Sequence, residues 1–181
     1  MLAARRRRPA PMQRLESTAG LSKPAAYAEL LAQFDAIAAG ERDGLANAAN
    51  LAALLFHGLP DLNWAGFYFL RAGQLVLGPF QGGVACIRID LQRGVCGAAA
   101  SRRRTELVPD VHAFPGHIAC DPRSRSEVVV PLLLEGRLYG VLDLDSPSLA
   151  RFDAADAAGL EALALCFLER SDLSRLADPA P

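Results

Sequence analysis

Three of the four cysteines stand among glycines and prolines: Cys86 in Val-Ala-Cys-Ile-Arg, Cys96 in Gly-Val-Cys-Gly, and Cys120 in Pro-Gly-His-Ile-Ala-Cys-Asp-Pro. A thiolate is a strong nucleophile, and neighbouring thiols pass reversibly between dithiol and disulfide. Cys166 lies in an apolar helical run and is expected as a buried core thiol. The contrast points to thiol redox chemistry rather than to a disulfide-stapled fold. Cys120 ends a long loop with His117 three residues before it, a setting for a low-pKa thiol able to reach a second cysteine. Cys96 falls near the start of a predicted helix, where the dipole favours thiolate, although a small residue packed behind a glycine turn would look the same.

The acids carry a second signal. Asp143 and Asp145 lie two residues apart in an apolar strand and so project from one face. Paired carboxylates there are costly unless they line a polar pocket, where one can keep its proton. Glu127 opens the partner strand. A three-residue turn pairs Leu134 with Leu138 and sets Glu127 opposite Asp145; a two-residue turn sends Glu127 to the other face. We expect three, which gathers the acids. Trp64 and Tyr68 alternate with Gly66 on one strand face and could wall a small pocket or belong to an aromatic core. His112, His117 and Cys120, followed by Asp121, offer zinc-type ligands, but the spacing matches no recognised knuckle and no metal is expected.

Several elements must hold these residues. Helical periodicity spans Pro24 to Ala38 and Asp43 to Phe56. Strands are predicted from Asn63 to Leu70 and Gln74 to Gly78, turning at Ala72-Gly73, with a loop over Pro79 to Gly83. Ala85 to Asp90 alternates, with Ala85, Ile87 and Ile89 on one face and Cys86, Arg88 and Asp90 on the other. A short helix follows at Gly94 to Ala100, then a strand at Glu106 to Val108 and a long loop from Asp110 to Ser126. Strands Glu127 to Leu134 and Leu138 to Asp145 precede a last helix, capped by Asp153, with Leu160, Leu163, Ala164 and Phe167 on one face. This order predicts an α+β domain with an antiparallel sheet and helices packed on one face.

At 181 residues and 51% apolar content the chain can bury one full core. A net charge of −1 supplies no field for nucleic acid or acidic membranes, and no apolar run reaches membrane-spanning length. Cysteine usage fits a reducing, cytoplasmic setting. We divide the chain into a basic tail over residues 1–22, a catalytic domain over 23–172 and a C-terminal tail over 173–181. Arg5 to Arg8 lack the apolar stretch of a secretory signal; the tail reads as a disordered extension or a start preceding Met12, with a weak likeness to a transit segment.

Six blocks in order carry a resemblance: Asn63-Trp64-Ala65-Gly66-Phe67-Tyr68, Leu77 to Gly82, Gly94-Val95-Cys96-Gly97, Asp110 to Asp121, Ser124-Arg125-Ser126-Glu127, and Gly140 to Pro147. From about Tyr27 to about Leu168 the chain resembles the free methionine-(R)-sulfoxide reductases, single GAF-domain enzymes. The resemblance implies a GAF-like fold with the ligand pocket on the sheet face away from the helices. It implies that Cys120 attacks the sulfoxide sulfur, that Cys86 forms the recycling disulfide, and that Cys96 is a third cysteine of variable role. Glu127, Asp143 and Asp145 would hold the substrate ammonium and assist protonation of its oxygen, with Trp64 and Tyr68 around the methyl-sulfur end. Thioredoxin is the implied reductant, a homodimer the implied state, and no cofactor is needed. Gly83, where many members have Lys, and Gln92 depart from the pattern beside the motifs. The alternative is a non-catalytic GAF sensor of small molecules or redox state.

Overall fold

The computed structural model describes residues 16–116 and 121–178. The arginine run, Met12, His117 and Cys120 lie outside them. Helix α1 (Lys23–Ile37) starts with proline in its first turn, and α2 (Gly44–Gly58) is capped by Asp43, whose carboxylate accepts from the amides of Leu45 and Ala46 at 2.9 and 3.0 Å. Strands β1 (Trp64–Arg71), β2 (Gln74–Gly82) and β3 (Arg88–Asp90) follow, then helix α3 (Gly94–Arg102) and β4 (Glu106–Val108). A one-turn 3-10 helix at Val111–Ala113 interrupts the long loop before β5 (Ser126–Leu134), β6 (Arg137–Ser146) and α4 (Ala154–Arg170). Asp153 and Asp156 form the capping box of α4.

The strands make one six-stranded sheet in the order β3-β2-β1-β6-β5-β4, antiparallel at every pairing. Alternation sorts its side chains between two cores. Ala65, Phe67, Phe69, Val128, Val130, Leu132, Leu142 and Leu144 pack against α1, α2 and α4. Trp64, Tyr68, Val129 and Val141 face the other way, toward α3 and the long loop. The expected α+β fold stands, with α3 on the pocket side.

Four expectations about the fold are corrected. Strand β2 runs through Pro79 to Gly82, because the ladder resumes beyond a bulge, with Gly66 opposite Phe80 and Trp64 opposite Gly82. Pro79 is tolerated at that irregularity. Only Arg88–Asp90 of the alternating stretch joins the sheet; Ile87 is 71% exposed and Cys86 sits half-buried in the preceding coil. The residues expected as a C-terminal tail contribute Leu173, Leu176 and Ala177 to the buried set.

The β5–β6 hairpin holds the most instructive correction. Its turn has two residues, Glu135 and Gly136, both at positive φ, with Leu134 opposite Arg137. One register shift follows: Leu133 pairs with Leu138, but Leu132 pairs with Gly140, leaving Tyr139 as an extra residue. From there Glu127 meets Asp145, the expected pairing reached by a bulge instead of a longer turn. Gly140 makes the bulge possible. Its φ is +152°, and a Cβ there would lie 2.0 Å from the Tyr68 carbonyl oxygen.

Candidate active site

The polar face of the sheet ends in a cleft of about 520 Å³, its open mouth included. Trp64 and Tyr68 of β1, Glu127 of β5, and Asp143 and Asp145 of β6 line it together with Cys96 of α3. Gly66 leaves room beneath the aromatics: a Cβ there would come within 2.7 Å of the Trp64 ring and 2.4 Å of Phe80 Cβ. Trp64 stacks between Tyr68 and Phe80, with ring centroids at 5.8 and 5.4 Å. Tyr68 donates its hydroxyl to the Cys86 carbonyl oxygen at 3.0 Å, tying the wall to the coil that carries Cys86.

Glu127 and Asp143 are buried, each 6% exposed. Burial raises the pKa of Glu127 well above the carboxylate range, and the charges of Asp143 and Asp145 push it the same way. Burial also pushes Asp143 up, to about 7, while hydrogen bonds from Cys96 and Glu127 pull against the rise. Asp145 is raised by burial and by Asp143, with a hydrogen bond from Ser124 opposing. The cluster therefore holds protons at neutral pH. Glu127 donates and Asp143 accepts.

Cys96 corrects an expectation. It occupies the first turn of α3, but its sulfur lies 3.2 Å from Asp143 Oδ2 and 3.9 Å from Glu127 Oε1. Burial and these negative neighbours drive its pKa well up, overcoming the half-charge of the helix end. It is a thiol that donates to Asp143, not a thiolate. Cys86 is disulfide-bonded, whereas Cys96 and Cys166 are free. Cys166 is half-buried rather than fully buried, with its sulfur 3.8 Å from Asp35 Oδ1.

Asn63 beside the cleft and Ser124 on its wall were not singled out by type and spacing. Asn63 donates to Ser124 Oγ at 2.9 Å and to Asp121 Oδ2 at 3.1 Å, bracing the end of the long loop against β1. Asp121 is held below the usual carboxylate range, chiefly by hydrogen bonds from the Arg123 guanidinium. Val84, Ala85, Ile89, Gly94 and Val95 complete the rim. A polar residue immediately before an aromatic strand was the one available signal. Three buried polar atoms here have no partner among the described residues: Asn63 Oδ1, Trp64 Nε1 and Asp143 Oδ1. Unpaired buried groups of this kind are costly and suit a polar ligand. The arrangement can bind a small cation against the acids, an apolar group against the aromatics, and supply a proton from a buried carboxyl.

Comparison with known proteins agrees with this geometry. A GAF domain family model matches residues 46–165. The chain is 50% identical over 143 residues to the free methionine-R-sulfoxide reductase of Escherichia coli, covering 79% of this chain and 87% of that one. Protein YtsP of Bacillus subtilis is 55% identical over 132 residues, covering 72% and 81%. The X-ray structure of free methionine-R-sulfoxide reductase from Neisseria meningitidis in complex with its substrate superposes with a TM-score of 0.85 at 47% identity, covering 91% and 98%.

Proposed function

Since this chain belongs to the free methionine-R-sulfoxide reductase family of GAF-domain proteins, we infer that it reduces free methionine (R)-sulfoxide to methionine. The observation that carries the reading is the trio of buried Glu127 and Asp143 and half-buried Asp145 on one cleft wall beside stacked Trp64 and Tyr68. A free amino acid brings an ammonium to those acids, which a residue inside a peptide lacks. Its carboxylate is taken by first-turn amides of α3, which no side chain caps. Its sulfur lies against the aromatic wall.

In our reading the thiolate of Cys120 attacks the sulfoxide sulfur while Glu127 gives its proton to the oxygen. The sulfur–oxygen bond breaks, methionine leaves reduced, and Cys120 keeps the oxygen as a sulfenic acid. The Cys86 thiol then attacks that sulfur, a disulfide forms and water departs. A thioredoxin dithiol returns two electrons and restores both thiols. The disulfide at Cys86 supports this assignment, as does Asp121 on the cleft rim, next in the chain to Cys120. Asp143 and Asp145 hold the ammonium, and Cys96 steadies Asp143. The catalytic domain starts at residue 23, takes in the buried Leu173, Leu176 and Ala177, and acts in the cytoplasm as a homodimer.

The test is NADPH oxidation coupled through thioredoxin, with free L-methionine (R)-sulfoxide as substrate. Turnover by wild type, none by Cys120→Ser and one stoichiometric turnover by Cys86→Ser are expected. Folded, reduced protein inert toward both sulfoxide epimers would overturn the reading and favour a ligand sensor.

A further inference from the structure

We propose that Cys96, Glu127 and Asp143 form a three-ligand site for a thiophilic divalent cation, zinc above all, at the base of the cleft. Their ligand atoms all lie within 4.8 Å of one another, with sulfur-to-oxygen separations of 3.2 Å to Asp143 and 3.9 Å to Glu127. A tetrahedral zinc with sulfur at ~2.3 Å and oxygens at ~2.0 Å sets sulfur–oxygen edges of about 3.5 Å. The observed separations straddle that edge. Small side-chain adjustments bring all three onto one ion.

The ligands come from α3, β5 and β6, so no loop has to move. They are 3%, 6% and 6% exposed in that order, and the cleft supplies both an entry path and room for a water as fourth ligand. An independent observation points to a cation. Asp143, which lines the cleft, has its Oδ1 sealed from solvent and without a hydrogen-bond partner among the described residues. One thiolate with two carboxylates suits zinc and disfavours magnesium or calcium, which take oxygen ligands only. On binding, the Cys96 thiol and the Glu127 carboxyl each release a proton to solvent, and metal–ligand bonds replace their hydrogen bonds to Asp143.

The consequence for activity rests on the reductase reading: metal and substrate ammonium compete for Asp143, so zinc acts as a competitive inhibitor. The binding claim stands apart from it and is tested on the oxidised protein, where Cys86 is held in its disulfide and cannot contribute. Zinc is titrated against a chromophoric chelator, with cobalt as the spectroscopic probe. One equivalent per chain and a thiolate-to-cobalt charge-transfer band are expected. Cys96→Ser and Asp143→Asn should each weaken uptake by roughly 100-fold, and Cys166→Ser should leave it unchanged. Uptake that survives Cys96→Ser and Asp143→Asn, or that lacks the thiolate band, overturns the proposal. Should Cys96→Ser not fold, Asp143→Asn alone decides. Free methionine should displace the metal; if it does not, shared occupancy is refuted while the site stands. Failure of the reductase reading would appear separately, as metal-free reduced protein without turnover.

Discussion

Replacing Asp143 by asparagine should stabilise the empty protein at alkaline pH while destroying its activity. Asp143 is pushed from an ordinary value near 3.8 to about 7, principally by burial. Between those values the native chain holds a proton that the unfolded chain has released, so stability falls as pH rises through this interval. Glu127 and Asp145, also raised, act in the same direction. Carried wholly into stability, the rise at Asp143 would cost ~4 kcal/mol at pH 8. The proton shared with Glu127 and water in the cleft reduce this to about 2 kcal/mol. Asparagine keeps the shape, still accepts from the Cys96 thiol, and carries no charge. For a domain of this size Asp143→Asn should raise Tm at pH 8 by about 4–8 °C and leave it near wild type at pH 4.5. The assay is thermal unfolding of reduced protein across pH 4.5–8 with chelator present, so that no metal loads the cluster. A variant no more stable than wild type at pH 8, or a wild-type Tm that does not fall over this range, would refute the electrostatic reasoning. Activity toward the sulfoxide should drop at least about 100-fold in the same variant, because the ammonium loses its buried counter-charge.

Other perturbations probe the scaffold and the wall. Gly140→Ala places a methyl 2.0 Å from the Tyr68 carbonyl oxygen and should cost about 3 kcal/mol or more, read as a lower urea midpoint or as insoluble protein. Asp156 is fully buried and accepts from Tyr27, Lys23 and Arg151 at 3.0, 2.5 and 3.0 Å; Asp156→Ala strands Arg151, whose side chain is 9% exposed. That loss should amount to about 3–5 kcal/mol, measured by denaturation, with substrate affinity unchanged in whatever protein stays folded. Trp64→Phe keeps most of the apolar wall but removes the unpartnered Nε1, and kcat/KM should fall about tenfold, as for one lost hydrogen bond.

Much of this architecture was legible because it rests on period and capping. Asp43 and Asp153 marked two helix starts, and alternation placed Asp143 and Asp145 together. What escaped depended on distant partners. Ile87 reads as core by alternation, yet β3 begins only at Arg88, where β2 offers pairing, and Ile87 is left in solvent. Pro79 reads as a strand end, but β1 continues the ladder past it. The charge state of Cys96 followed from helix position alone until β5 and β6 brought two acids to its sulfur. Asn63, Asp121 and Ser124 matter through one another across the sheet end, and no spacing in the chain announces that.

The extra residue at Tyr139 makes the β5–β6 hairpin a device of parity. Were Tyr139 drawn into the ladder opposite Leu132, the two-residue turn would set Glu127 against Leu144 and pass Val128 to Asp143, exchanging carboxyl for methyl along the whole cleft wall. For a fixed count of residues, turn length and bulge can therefore vary only in step. Deleting Tyr139 should abolish the bulge yet keep the trio, because Leu132 still meets Gly140 and Glu127 still meets Asp145. Lineages of this fold are free to rebuild the tip of the hairpin, far from any chemistry, provided that Leu132 still meets Gly140.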